Sequence, residues 1–267
     1  MATNGHTPDF RECDEFFDLR TVEHEASHVV PYIKPNSRII DVGCGIGGIT
    51  LDFARRVPEG YVLGVDYSAD SIRVAKERAK AAGLTNVEFV HGDATNLDAS
   101  IPSDSFDISH SHQMLLHLPG DDPVKALKSI RRVVKPGGVL TTRDNHGRFI
   151  YPATPTLQRC LDMFPVLCSE RGAHPDAGHA NHVWMHQAGF EWEKIKFGDA
   201  CKYFVTPKER QLYGQTFKWS FWKTFGKGPE TEEEEKWLQE YQRDLEAWVK
   251  KPEARVGWVD GWVVATK

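Results

Sequence analysis

The 267-residue chain lacks any apolar run near the ~20 residues that a membrane span needs; stretches such as Val29-Val30 and Trp262-Val263-Val264-Ala265 are far too short. Paired cysteines are missing as well. Cys13, Cys44, Cys160, Cys168 and Cys201 are odd in number and widely spaced, with no C-x-x-C pair and no Cys/His set of zinc spacing. Neither a disulfide framework nor a metal site is therefore expected. Met1 to Glu15 is polar and has no apolar stretch of the signal-peptide kind, so the expected setting is cytoplasmic and reducing. A formal net charge of -5 gives no excess of positive charge to hold a polyanion, which argues against nucleic acid as a partner. Internal repeats and low-complexity tracts are absent too. What remains is ordinary globular composition, 40% hydrophobic and 27% charged, with length enough for a sizeable α/β domain.

From Ser37 to about Asn145 short apolar runs alternate with helical stretches. Arg38–Val42, Tyr61–Asp66, Val87–Val90, Phe106–Ser109 and Val139–Thr142 read as strands. Between them Gly48–Arg56, Ala69–Ala82 and Pro123–Val134 read as helices, the second started by Ser68 or Asp70 and stopped at Gly83. Such alternation predicts a parallel sheet covered on both faces. Beyond Asn145 the pattern changes. Arg148–Arg171 and Pro207–Lys250 look helical and aromatic, the latter with Trp219, Phe221, Trp222, Phe225, Trp237, Tyr241 and Trp248. Glu191–Val205 and Trp258–Thr266 supply two late strands, and Thr231 followed by Glu232–Glu235 marks a helix start. The expected whole is one α/β domain, doubly wound around a mostly parallel seven-stranded sheet. Residues 1–36 form a helical cap, 37–147 a cofactor-binding core, and 148–267 late strands carrying helical insertions as a lid over the acceptor.

The glycine string Asp41-Val42-Gly43-Cys44-Gly45-Ile46-Gly47-Gly48 follows the first strand and opens the first helix. It satisfies both G-x-G-x-G and G-x-G-x-x-G, so by itself it also suits a dinucleotide such as NAD. Four further features decide between the two. Asp41 stands two residues before Gly43, where a carboxylate can accept from the ammonium of a methionine moiety and would repel a pyrophosphate. Asp66 ends the second strand, where it can take both ribose hydroxyls of either cofactor. Gly92-Asp93-Ala94 follows the third strand and can meet an adenine amino group. Lys135-Pro136-Gly137-Gly138 makes a tight turn into the fifth strand. The combination favours S-adenosylmethionine.

Ile39–Thr50, Val65-Asp66, Gly92–Ala94 and Phe106–Leu118 together resemble the class I S-adenosylmethionine-dependent methyltransferases. His112–Leu118 and Ile130–Gly138 are similar to the ubiquinone-biosynthesis-type branch, and within it to fungal thiol methyltransferases of dithiol natural products. The resemblance implies a pocket in which Asp41, Gly43, Cys44 and Gly45 wrap the methionine end. Asp66 would take the ribose with Tyr67 at the adenine edge, and Asp93 and Ala94 would hold adenine. His110, Ser111, His112 and Gln113 would lie beneath the sulfonium, with Arg20 near the methionine carboxylate. The sulfonium methyl is already electrophilic, so a protein base is needed only if the acceptor must lose a proton. His112 and His146 are the preferred candidates among the groups at strand ends, and Phe149-Ile150-Tyr151 is expected near the sulfonium. The implied reaction is methyl transfer to a small secondary metabolite, thiol S-methylation leading over oxygen or nitrogen, with S-adenosylhomocysteine as product. The partner is that small molecule, and a monomer or weak dimer is expected. The alternatives are a protein of this fold guiding a rearrangement without methyl transfer, and an NAD-dependent oxidoreductase.

Overall fold

The computed structural model describes residues 20–170, 172–225 and 231–267, with side chains except at 167 and 218–225. In chain order the elements are α1 (Val22–Glu25), a 3-10 stretch (Ser27–Tyr32), β1 (Arg38–Val42), α2 (Gly48–Arg56), β2 (Tyr61–Asp66), α3 (Ala69–Ala81), β3 (Val87–His91), β4 (Phe106–His112), α4 (Asp122–Val133) and β5 (Val134–Tyr151). There follow α5 (Pro155–Glu170), α6 (Ala177–Gln187), β6 (Ile195–Phe204), α7 (Pro207–Phe225), α8 (Glu232–Val249) and β7 (Arg255–Thr266). Of the predicted cap at 1–36, residues 1–19 lie outside the described set; α1 and the 3-10 stretch lie in the described remainder.

The seven strands lie in the order β3-β2-β1-β4-β5-β7-β6. The pairs β1·β2, β1·β4, β2·β3 and β4·β5 are parallel. β7 runs against β5, since Gly137 N donates to Lys267 O and Lys267 N donates to Gly138 O. A parallel sheet needs apolar cover on both faces, and strand alternation supplies it. In β1, Ile39 packs with Val29, Phe53 and Ile72 on one face, while Ile40 packs with Leu127, Ile130 and Met185 on the other. The doubly wound architecture is therefore as expected. α3 begins at Ser68, whose hydroxyl accepts from Ser71 N at 3.2 Å, and gives way to Gly83 at φ 66°.

The described chain divides into two compact units. The larger comprises residues 20–147, 168–200 and 259–267; the other holds 148–167 and 201–258. The second has its own core, in which Leu157, Phe204, Tyr213, Tyr241, Leu245 and Trp248 are all buried. Its α8 starts in a full capping box. Thr231 Oγ1 accepts from Glu234 N, and Thr231 N donates to Glu234 Oε2. Trp237, Tyr241 and Trp248 are core residues here, whereas Trp219, Phe221, Trp222 and Phe225 lie on the part of α7 whose side chains are outside the described set.

Arg148–Tyr151 continues β5 instead of starting a helix, and α5 begins only at Pro155. Trp192–Lys194 is a 3-10 turn ahead of β6, so the late strand begins at Ile195, and Ala177–Gln187, with no element expected there, forms α6. The turn at Lys135–Gly138 stands at the head of β5, where the register against β4 jumps from Phe106 opposite Val134 to Ile108 opposite Val139 and Gly137 sits at φ 78°.

Candidate active site

The glycine loop leaves β1 with Gly43, Gly45 and Gly47 at φ 78°, 53° and 83°. At Gly43 the need for glycine is also steric, because a Cβ there would lie 2.5 Å from Met114 Cγ. The loop is fastened to the end of β2. Gly43 N and Cys44 N both donate to Val65 O, and Asp66 accepts from Gly45 N at 2.7 Å and Ser68 N at 2.9 Å. Desolvation raises the pKa of Asp66 above its ordinary value, while those two N–H groups pull it down. Burial, reinforced by Asp66 and Asp41, holds the Cys44 thiol well above the usual range, so it stays protonated.

Asp41 is buried and turned inward. Its Oδ1 lies 2.8 Å from His110 Nδ1, and its Oδ2 accepts from Thr50 Oγ1 at 2.6 Å. Two residues on, His112 ends β4 beside a charged cluster drawn from four segments. His112 Nε2 is 3.3 Å from Glu25 Oε2. Arg143 Nη2 is 3.5 Å from Glu25, and Arg143 Nε donates to Asp260 Oδ2 at 2.9 Å. Gln113 Nε2 and Asn145 Nδ2 also donate to Asp260, at 2.8 and 3.2 Å. Arg20 stands beside Asp260 and Arg143, its pKa drawn down by desolvation to about 10. Burial first, then Arg20 and Arg143, pushes the His112 pKa well below 6.5, so the ring is neutral at neutral pH.

Ligand atoms of Glu25, His112 and Asp260 lie within 4.8 Å of one another, a spacing a metal could use. The guanidiniums of Arg20 and Arg143 already balance the two carboxylates, however, so a divalent cation would add uncompensated positive charge. Gln113 is held at φ 53°, which costs a non-glycine residue roughly 1–2 kcal/mol.

The two histidines predicted as bases are not brought together. His110, His112, Arg143 and Asn145 share one face of the sheet, with Asp41, Glu25 and Asp260. His146, one residue out of step with Asn145, points to the other face. There its Nε2 contacts the exposed Asp199 at 3.0 Å and its ring packs 4.1 Å from that of His179. Ser111 also lies on that second face, buried and with no hydrogen-bond partner for its hydroxyl among the described residues.

Tyr67 is 69% exposed, its ring 5.9 Å from that of His91. Asp93 caps the 3-10 turn that Ala94 begins, accepting from Thr95 N and Oγ1. It borders a cavity of about 530 Å³ with His91, Asn96, Leu97 and Arg132. Phe149–Tyr151 falls in the second unit, where Ile150 joins the core and Tyr151 O accepts from Trp248 Nε1. The residues that sequence reasoning missed are Glu25, Arg143, Asn145 and Asp260. They converge from positions far apart in the chain, and no local spacing announces them.

A left-handed glycine loop tied to a strand-end carboxylate suits a nucleoside with an amino-acid tail. Beside it, both ring nitrogens of the buried His112 and the Nε2 of His110 find no hydrogen-bond partner among the described residues. Comparison with known proteins agrees. Residues 33–195 match the family described as "Methyltransferase domain". A Schizosaccharomyces pombe protein, "Uncharacterized methyltransferase C1B3.06c", is 32% identical over 74% of this chain and 72% of its own length. "Probable methyltransferase ltbC" of Aspergillus luteorubrus is 36% identical over 60% of this chain and 59% of its own. The fold is also that of Haemonchus contortus phosphoethanolamine N-methyltransferase 2, solved in complex with S-adenosyl-L-methionine. That likeness has a TM-score of 0.55 at 18% identity, covering 90% of this chain and 51% of the other. The chain belongs to the class I S-adenosylmethionine-dependent methyltransferases, and S-adenosylmethionine is its cofactor.

Proposed function

We propose that the chain methylates a small secondary metabolite carrying an acidic proton, with a thiol the leading acceptor, and that His112 is the base. The observation that supports this most is the buried neutral imidazole of His112, 3.3 Å from Glu25 Oε2. When bound, the cofactor supplies a methyl group activated on a sulfonium. The glycine loop would wrap its methionine end, Asp66 would take its ribose, and Arg20 would serve its carboxylate. His112 takes the acceptor's proton, and Glu25 stabilises the resulting imidazolium across the existing contact. Because burial and two nearby guanidiniums keep His112 a weak base, it suits a thiol (pKa about 8.5) better than a phenol (about 10), and an alcohol least. His146 is the poorer candidate for this role, since it lies on the opposite face and its Nε2 is engaged with Asp199.

The test is incubation with S-adenosylmethionine and panels of thiols, phenols and amines, with methylated products read by mass spectrometry. His112→Gln should lower thiol methylation by about 10²–10⁴-fold, the usual worth of a positioned base, with cofactor affinity nearly unchanged. Equal loss of turnover and affinity, or methylation of amines alone, would contradict this reading.

A further inference from the structure

Asp144 sits on β5 between Arg143 and Asn145 but faces the other way, toward α4 and α6, and is fully buried. Its Oδ1 accepts from Leu116 N at 3.2 Å, and the backbone N–H groups of Leu115 and Met114 also favour its ionised form. Three successive N–H groups aimed at one carboxylate make an anion-holding nest in the backbone. The turn so held begins with the left-handed Gln113, whose own N–H donates to Arg143 O at 2.8 Å. Its far end is fixed by His174 N donating to Leu116 O. The same turn carries Met114, whose side chain fills the space that a Cβ at Gly43 would take. A continuous contact path therefore runs from Asp144 through the 114–116 backbone to the glycine loop. The other carboxylate oxygen, Oδ2, is buried and accepts no hydrogen bond from the described residues, nor do the buried hydroxyls of Ser111 and Thr142 on the same face find partners.

We propose that Asp144 is a positioning residue for the cofactor site: its carboxylate pins the turn after β4, and through Met114 that turn sets the glycine loop. The inference rests on reading that loop as the cofactor's seat. Desolvation is the main reason that the Asp144 pKa is pushed up to about 7, with Asp260 adding to the rise and the N–H groups opposing it. Loss of its charge below neutrality weakens the grip on the turn, so cofactor affinity falls as pH drops through that value. Charged and titratable groups along the surrounding elements include Asp122, Lys125, Lys128, Arg131 and Arg132 on α4, Arg143 and His146 on β5, Asp260 on β7, His117 in the turn, His174 and Asp176 before α6, and His179, His182 and His186 on it. The Asp144→Asn variant keeps all of them and separates their titrations from that of Asp144.

The experiment follows the amide resonances of Met114, Leu115 and Leu116 by NMR from pH 5.5 to 8.5, alongside calorimetric S-adenosylhomocysteine affinity. The wild-type amides should titrate together with a midpoint near 7, and Asp144→Asn should abolish that titration. At pH 8, Asp144→Ala should weaken S-adenosylhomocysteine binding by about tenfold or more, the worth of a hydrogen bond to a charged group. Asp144→Asn, which keeps an acceptor oxygen, should bind more tightly than the alanine variant. Amides that do not titrate in wild type, or titrate equally in Asp144→Asn, overturn the proposal. So does an Asp144→Ala protein with wild-type affinity. Failure of the wild type itself to bind S-adenosylhomocysteine would instead count against the seat assigned to the glycine loop, while the amide titration still judges Asp144.

Discussion

Replacing Gly43 by alanine tests the contact between the glycine loop and the turn after β4. Two costs can be separated. The backbone at φ 78° is left-handed, which penalises alanine by about 1–2 kcal/mol. The added methyl would lie 2.5 Å from Met114 Cγ and 2.8 Å from its Cβ. Met114 is 9% exposed, so it has little room to retreat, and overpacking of this kind costs about 1–3 kcal/mol. Gly43→Ala should therefore lose about 2–5 kcal/mol of stability, seen as a melting point lower by about 5–15 °C. Only the second cost depends on Met114. In a double-mutant cycle with Met114→Ala, urea denaturation should give a coupling of about 1–3 kcal/mol in the relieving direction. Additive effects would refute the packing argument and leave strain alone as the reason for glycine.

Three further outcomes follow from the geometry. Asp66→Ala removes the acceptor for Gly45 N and Ser68 N, and should weaken S-adenosylhomocysteine binding by about 10–100-fold in a calorimetric titration, the scale of a charged hydrogen bond. Because Asp144 has its pKa raised to about 7, the folded state holds an extra proton between its ordinary 3.8 and that value. Its stabilising contribution is thus full below pH 3.8 and gone once pH has risen past 7; urea midpoints of wild type should lose ground to Asp144→Asn as pH rises from 5 to 8.5. Thr231→Ala opens the capping box of α8 and should cost about 0.5–2 kcal/mol, with hydrogen exchange accelerating in the first turn of that helix.

The core was legible because its signals are local. Arg38–Val42, Gly48–Arg56 and Tyr61–Asp66 occupy the spans that apolar periodicity and the glycine string assign them. β5 was not, because its polar second half resembles a loop. Arg143, Asp144 and Asn145 are buried in a strand only because Asp260, Glu25 and the Leu116 N–H, all distant in sequence, satisfy them. α6 escaped notice for a related reason: it lacks a broad apolar stripe. Besides Met185 it packs on the sheet through small and polar residues, with Gly178 close against Asp144 O and Asn181 Nδ2 donating to Gly261 O. For the candidate site, strand-end rules located the loop, Asp66 and His112. The cluster around Asp260 depends on β7 running back beside β5, a pairing no motif encodes.

The central claim is the identity of the bound nucleoside. Calorimetric titration of the purified protein with S-adenosylmethionine, S-adenosylhomocysteine and NAD decides it most directly. Saturable binding of the two sulfur compounds, with none for NAD and with Asp66→Ala impaired, is the predicted result; binding of NAD alone would contradict the account.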